Sequence, residues 1–136
     1  LIIETTGIAD PANVAVPFLM LPAVQRDFTL KRVICLVDAE LVEDQLRDTE
    51  EAITQISFAD VLLINKTDRV APDYLTQLQE TLRGINPMAE VLLGHKDNYP
   101  VEQLMAVVRP TADAQSLTKL RPVQAKPTPS FAPVQT

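Results

Sequence analysis

The stretch VLLINKTD at residues 61–68 places four apolar residues directly before four polar ones. A continuous apolar run of this length is typical of a strand that is covered on both faces. Similar runs lie at residues 1–3, 33–37 and 91–93, and segments with helical spacing separate them. This alternation predicts an α/β fold with a mostly parallel sheet flanked by helices.

The polar end of this stretch, Asn65-Lys66-Thr67-Asp68, has the N-K-x-D pattern suited to guanine recognition. A carboxylate at Asp68 can accept from both the ring N1–H and the exocyclic amino group of guanine, and adenine lacks this pair of donors. Lys66 can lay its methylene stem along the purine face while its ammonium stays in water. Asn65 can brace the loop and approach the base edge. The alternative is a simple turn, since Asn and Asp are common in turns.

A second motif, Glu4-Thr5-Thr6-Gly7, follows the apolar run at residues 1–3. A carboxylate at the end of a predicted strand can hold Mg²⁺ through water, because Mg²⁺ dehydrates reluctantly. A glycine three residues later lets its backbone N–H approach a phosphate oxygen. We therefore take Glu4 and Gly7 as candidate catalytic residues, with Glu4 also a water-mediated Mg²⁺ ligand. Asn65, Lys66 and Asp68 are the candidate nucleotide-binding residues.

With its neighbouring motifs, the chain resembles the CobW-type GTPases, P-loop GTPases of a CobW/HypB/UreG-like metal-chaperone group. The further stretches that carry the resemblance, which extends over about residues 1–109, are Ile8-Ala9-Asp10-Pro11, Val37-Asp38-Ala39, Phe58-Ala59-Asp60 and Arg83-Gly84-Ile85-Asn86-Pro87.

The resemblance implies a cytoplasmic GTPase that binds GTP and Mg²⁺ and delivers a metal, zinc or cobalt, to a client metalloprotein. In such an enzyme Glu4 would hold the Mg²⁺ shell and Gly7 would sense the γ-phosphate. Residues 8–21 would form the switch segment that reorders on hydrolysis. Two alternatives stay open: a nickel-insertion GTPase of the hydrogenase or urease type, and a non-catalytic remnant unable to bind nucleotide alone.

The sequence departs from this family at the phosphate-binding loop. It contains no G-x-x-x-x-G-K-[ST] motif, and its three glycines are Gly7, Gly84 and Gly94. The backbone cradle and the lysine that hold the phosphates are therefore missing. We expect residues 1–109 to be a partial GTP-binding domain from an amino-terminally truncated fragment, inactive alone. Residues 110–136 are rich in proline and read as a linker or disordered tail.

Composition narrows the classes of partner. The net charge of −6 argues against nucleic acid, since a phosphate backbone calls for a basic surface. No apolar run approaches the length of roughly 18 residues that spans a membrane, so a membrane partner is not expected. The one cysteine, Cys35, permits no internal disulfide and lies in an apolar run, which indicates a buried small hydrophobic residue.

The remaining patterns predict local structure. Asp10 should cap a helix that begins at Pro11 and reaches about residue 21. One helix should cover residues 40–58, with a Glu43–Arg47 pair on a solvated acidic face. A helix from Pro72 should end at Gly84, and a short one should follow Pro100.

Two other residues have open roles. Asp38 could face the site at its strand end, although a helix N-cap is the preferred reading. His95 is either a neighbour of the base-binding loop or an ordinary exposed loop residue.

Overall fold

The computed structural model describes residues 1–106. One parallel sheet has the strand order β1-β2-β3, with strands at Ile34–Asp38 (β1), Val61–Asn65 (β2) and Glu90–Leu93 (β3). The helices are Pro11–Met20 (α1), Pro22–Gln25 (α2), Val42–Asp48 (α3), Glu50–Phe58 (α4), Pro72–Ile85 (α5) and Val101–Leu104 (α6). The predicted α/β class with a parallel sheet and flanking helices is confirmed.

The register brings the carboxyl ends of the strands to one edge of the sheet. Asp38 at the end of β1 lies opposite Asn65 at the end of β2, and Ile64 lies opposite Leu93 of β3. In open parallel sheets this edge is where ligands bind, because the loops that leave the strands converge there.

The central strand β2 lies at the core. Its residues Val61, Leu62 and Ile64 have no exposed surface, as expected of a strand covered on both faces. Helices α3, α4 and α5 contribute to the main core cluster, whose buried members are Val37, Ala39, Val42, Ile56, Ala59, Leu62, Ile64, Leu78 and Leu82. A second cluster packs Ala12 and Ala15 of α1 against Phe58 of α4.

One polar side chain, Asn86, is buried with the core. It follows α5, and its amide Nδ2 donates to the carbonyl oxygens of Ile56 and Ala59 at 2.8 and 2.9 Å and to Ser57 at 3.2 Å. Its Oδ1 accepts from the N–H of Met88 at 3.2 Å. Asn86 therefore satisfies the carbonyl groups at the end of α4, which would otherwise lack intrahelical partners.

The predicted strand at residues 1–3 is wrong. Leu1 and Ile2 are 89% and 80% exposed, and no described strand includes them. Apolar character alone does not make a strand, because a strand also needs a neighbour for its N–H and C=O groups. Within the described residues, β1 pairs with β2 and with no other strand.

The single helix predicted over residues 40–58 is also wrong, because the chain breaks at Thr49. Thr49 is extended, its N–H donates to the Gln45 carbonyl at the end of α3, and its hydroxyl accepts from the Ala52 N–H at the start of α4. A threonine that caps a helix competes with helix continuation, and the hydrophobic spacing does not reveal this.

Two of the other helix predictions are confirmed, and the predicted end of α5 is wrong. Asp10 caps α1 as predicted, accepting from the Ala12 N–H at 2.9 Å, and Pro17 lies inside that helix. Gly84 does not end α5, which runs to Ile85. The short helix after Pro100 is confirmed as α6, and Arg32 holds it by donating to the Leu104 carbonyl at 3.4 Å. The predicted tail at residues 110–136 lies outside the described residues.

Candidate nucleotide-binding site

Three consecutive strands supply the framework of the site at their carboxyl ends. The N–H of Ala39, directly after β1, donates to the Asn65 carbonyl at 3.1 Å. On the other side, the N–H of Gly94 donates to the Ile64 carbonyl at 2.8 Å. The ladder therefore continues past the strand ends and fixes the N-K-x-D loop between its two neighbours.

Asn65 braces this loop through its side-chain oxygen. Its Oδ1 accepts from the Lys66 N–H at 2.8 Å and from the Tyr99 hydroxyl at 2.8 Å. Lys66 has a φ of 62°, in the left-handed region that non-glycine residues seldom adopt. The hydrogen bond from Asn65 holds Lys66 in this conformation and turns the chain sharply after β2.

The side chain of Lys66 pairs with Asp38 across the strand ends. Its Nζ lies 2.8 Å from Asp38 Oδ2 and 4.0 Å from Glu40 Oε1. Burial raises the pKa of Asp38, but the hydrogen bond and charge of Lys66, together with backbone N–H groups of Glu40 and Leu41, lower it by more, so the net pKa lies below its ordinary value. The hydrogen bond to Asp38 raises the pKa of Lys66.

The preferred reading of Asp38 as a helix N-cap is wrong. Leu41 occupies the N-cap position of α3, whereas Asp38 Oδ1 accepts from the Glu40 N–H at 2.9 Å in the turn before that helix. Asp38 has a second oxygen for Lys66, so one carboxylate both shapes this turn and faces the site. The alternative in which Asp38 faces the site is the one that the geometry supports.

The loop after β3 folds back over the N-K-x-D loop. The N–H and the hydroxyl of Thr67 both donate to the Gly94 carbonyl, at 3.3 and 3.1 Å. His95 and Asn98 then bond to each other through both backbone N–H groups, closing a tight turn that returns Tyr99 toward Asn65. His95 is half-buried at the start of this turn, its Nδ1 lies 2.8 Å from the Lys96 carbonyl oxygen, and its place beside the base-binding loop stays a prediction.

Asp68 lies in the single 3₁₀ turn Thr67–Arg69 and is exposed. Within residues 1–106 no hydrogen bond or ion pair engages its carboxylate, whereas the neighbouring Arg69 faces Glu40 at 3.5 Å. The Nδ2 of Asn65 has no hydrogen-bond acceptor in that range either. A free acceptor and a free donor thus stand on one loop, and guanine offers both donors, N1–H and its amino group, and acceptors, O6 and N7.

The Glu4–Gly7 segment forms a separate part of the candidate site. Gln55 of α4 donates through Nε2 to the carbonyl oxygens of Gly7 and Ala9, at 2.6 and 3.2 Å. Glu4 and Gly7 are exposed, and among residues 1–106 no hydrogen bond or ion pair joins them to Asn65, Lys66 or Asp68. Within the described residues, the three guanine-loop residues therefore share one loop, and no hydrogen bond or ion pair connects the two candidate catalytic residues to it.

Sequence reasoning missed Tyr99 and Gln55. Each acts on a residue far away in the chain, 34 positions for Tyr99 to Asn65 and 48 for Gln55 to Gly7. For Tyr99, the sequence does contain one signal. The ends of β2 and β3 are adjacent in a parallel sheet, which predicts that the loop after β3 lies beside the loop after β2.

Other candidate groups carry no site chemistry. Burial raises the pKa of the Cys35 thiol to about 11, which keeps it protonated near neutral pH.

Arg47 pairs with Asp44 at 2.5 Å and with Asp48 at 3.4 Å, so the predicted Glu43–Arg47 pair is wrong. In the described part of the chain, no cluster of His, Cys, Asp or Glu could hold a metal ion. None of the helices described for residues 1–106 is both long and apolar enough to cross a membrane.

The three-stranded parallel sheet with its flanking helices is an α/β fold of the P-loop NTPase-like type. The chain belongs to the CobW/HypB/UreG family, whose nucleotide-binding domain matches residues 1–93. The predicted family is thereby confirmed.

Named relatives show the same family relationship. The chain is 33% identical over 93 residues to the zinc-regulated GTPase metalloprotein activator 1 of Schizosaccharomyces pombe, a match that covers 68% of this chain and 23% of that protein. It is 37% identical over 91 residues to the zinc chaperone YjiA of Escherichia coli, covering 67% of this chain and 28% of that protein. The chain thus spans about a quarter of the length of these relatives. No solved structure matches it significantly.

Proposed function

We propose that this chain is the guanine-recognising part of a GTP-binding, GTP-hydrolysing metallochaperone that acts in the cytoplasm. The observation that carries the proposal is the N-K-x-D loop, where Asn65 is braced, Lys66 is turned into the left-handed region and the Asp68 carboxylate stands free. Residues 1–109 would form a partial GTP-binding domain that lacks its own phosphate loop. The names of the relatives favour zinc over cobalt as the transferred metal.

Each residue of the loop has a distinct part in recognition. Asp68 would accept from the N1–H and the amino group of guanine, and Asn65 would donate through Nδ2 to the O6/N7 edge of the base. Lys66 would cover the purine face with its methylene stem, while Asp38 holds its ammonium. Adenine would leave the Asp68 carboxylate without its donors, and an unpaired polar group costs affinity.

The Glu4–Gly7 segment would serve hydrolysis. Glu4 is exposed, and two threonines follow it in the sequence, so this segment carries oxygen donors of the kind that hold Mg²⁺ through water. Bound Mg²⁺ would neutralise charge on the β- and γ-phosphates. Gly7 would present its N–H to the γ-phosphate while Gln55 holds its carbonyl. Glu4 would also orient the attacking water, since this reaction depends mostly on positioning.

Titration with a fluorescent GTP analogue, with ATP as competitor, tests the proposal. It is made on this 136-residue chain and on the complete product of its gene. Asp68→Asn should weaken GTP about 10- to 100-fold, the cost of losing charge-assisted hydrogen bonds, and should leave ATP binding unchanged.

Asp73→Asn is the matched control, because Asp73 is an exposed carboxylate on α5. An Asp68→Asn protein with an unchanged preference for GTP over ATP would overturn the guanine assignment. If neither the 136-residue chain nor the complete gene product binds the GTP analogue, the proposed function is overturned.

A further inference from the structure

Tyr99 makes the one hydrogen bond between two side chains that links the loop after β3 to the N-K-x-D loop within residues 1–106. Its hydroxyl donates to Asn65 Oδ1 at 2.8 Å, although the two residues are 34 positions apart. Nothing in the N-K-x-D pattern itself calls for this tyrosine.

The ring of Tyr99 packs against Gly94. A Cβ at Gly94 would lie 2.6 Å from Cδ1 of the ring, closer than real contacts allow, and 3.1 Å from Cε1, a tight contact. Gly94 itself is held by β2, since its N–H donates to Ile64, and by the loop after β2, since its carbonyl accepts from Thr67. The hydroxyl therefore reaches Asn65 from a support that the sheet fixes.

The contacts determine which way the Asn65 amide faces. The Lys66 N–H can only donate, so the Asn65 atom that it meets at 2.8 Å must be the oxygen. The Tyr99 hydroxyl donates to the same oxygen, which leaves Nδ2 on the opposite side with its two N–H groups free within the described residues. The terminal torsion of asparagine is otherwise broad, so two donors on one oxygen restrict it strongly.

We propose that Tyr99 is a positioning residue for guanine recognition, whose hydroxyl holds Asn65 with Nδ2 directed at the O6/N7 edge of the base. This role rests on the proposed function. It deepens that function, because Asp68 would read the donor edge of guanine and the Asn65–Tyr99 pair would read the acceptor edge. A preorganised donor loses less entropy on binding than a free one.

The test is Tyr99→Phe in the complete gene product, which keeps the ring on Gly94 and removes only the hydroxyl. GTP affinity should fall about fivefold, the typical value of one hydrogen bond, and ATP affinity should not change. The same change made on top of Asn65→Ala should have no further effect on GTP affinity, because Tyr99 acts through Asn65. Tyr74→Phe is the matched control, since Tyr74 is the other tyrosine of the chain and lies on α5.

A second readout needs no nucleotide. In an ¹H–¹⁵N spectrum of the nucleotide-free protein, the side-chain amide signals of Asn65 should shift in Tyr99→Phe and stay in place in Tyr74→Phe. Gly94→Ala should shift the same signals, because the added methyl group displaces the ring.

The outcomes separate the two proposals. A wild-type protein without guanine preference would overturn the proposed function, and the role of Tyr99 with it. A guanine preference and Asn65 signals that Tyr99→Phe leaves unchanged would overturn the role of Tyr99 alone, as would an effect of Tyr99→Phe on GTP affinity that persists in the Asn65→Ala background.

Discussion

Asp38 and Lys66 lie 2.8 Å apart at the carboxyl ends of two neighbouring parallel strands. The pair ties the turn after β1 to the loop after β2, and it holds the lysine ammonium at the end of β1. A local charge pair thus connects the stability of the sheet edge with the geometry of a recognition loop.

The Asp38–Lys66 pair should make stability depend on pH. The pKa of Asp38 is lowered from its ordinary value of 3.8, so its contribution is complete above that value and is lost as the pH falls through the folded pKa. The pKa of Lys66 is raised above 10.5, so its contribution is complete below that value and is lost as the pH rises through the folded pKa. Asp38→Asn should therefore lower the urea midpoint at pH 7.

The difference in urea midpoint between wild type and Asp38→Asn should shrink as the pH falls below 3.8. Asp73→Asn serves as the control and should change the midpoint little at either pH. A midpoint difference of the same size at pH 7 and at pH 2.5 would show that the ion pair is not its cause.

Substitution of Asn86 should strongly lower the free energy of unfolding, because Asn86 is a polar residue within the core. It is 4% exposed and donates to carbonyl groups at the end of α4. Asn86→Ala removes these donors, and a buried carbonyl without its partner costs about 1–3 kcal/mol, so the free energy of unfolding should fall by about 2–4 kcal/mol. Urea unfolding measures this, with the exposed Asn13→Ala as control. Equal free energies for the two variants would contradict the assignment.

Cys35 should react slowly with iodoacetamide. With its pKa raised to about 11 by burial, from an ordinary 9.0, its thiolate fraction at pH 7 is about a hundredfold lower than that of an ordinary thiol. The alkylation rate should keep rising with pH up to about 11 and should reach that of free cysteine after unfolding in urea. Labelling of the folded chain at pH 7 as fast as that of free cysteine would refute the raised pKa of this half-buried thiol.

Gln55 should affect the response to the γ-phosphate. Its amide holds the Gly7 carbonyl at 2.6 Å and so orients the peptide group next to the candidate γ-phosphate sensor. In the complete gene product, Gln55→Ala should reduce the ratio of GTP to GDP affinity about fivefold, with GDP affinity nearly unchanged.

Gln77→Ala on α5 is the control for Gln55→Ala, because it makes the same substitution at an exposed position. An equal loss of GTP and GDP affinity in Gln55→Ala would point to a general effect on folding and remove Gln55 from γ-phosphate sensing.

The sequence predicted the elements that rest on local composition. The continuous apolar runs located the three strands found within residues 1–106, and proline and aspartate located the start of α1. It also located the N-K-x-D loop, because a strand end followed by polar residues is a local signal. The break at Thr49 was missed, since a cap and a helix-compatible residue look alike in hydrophobic spacing.

The contacts that complete the candidate site could not be predicted in the same way. Tyr99 and Gln55 reach their partners through the strand register and the helix packing, which are properties of the folded chain. The run at residues 1–3 was predicted to be a strand and is not one. Its composition suits a strand, but pairing with a neighbour decides whether a strand forms.

The sequential strand order has a consequence for how the site comes into being. Ile34 pairs with Val61, and Val61 pairs with Glu90, so each pairing closes a long loop before any contact compensates for the lost chain entropy. Asp38, Asn65 and Tyr99 come from the three segments that these two closures unite. The recognition loop therefore has no early, locally formed precursor, and its amide protons should gain protection from exchange during refolding together with those of β2.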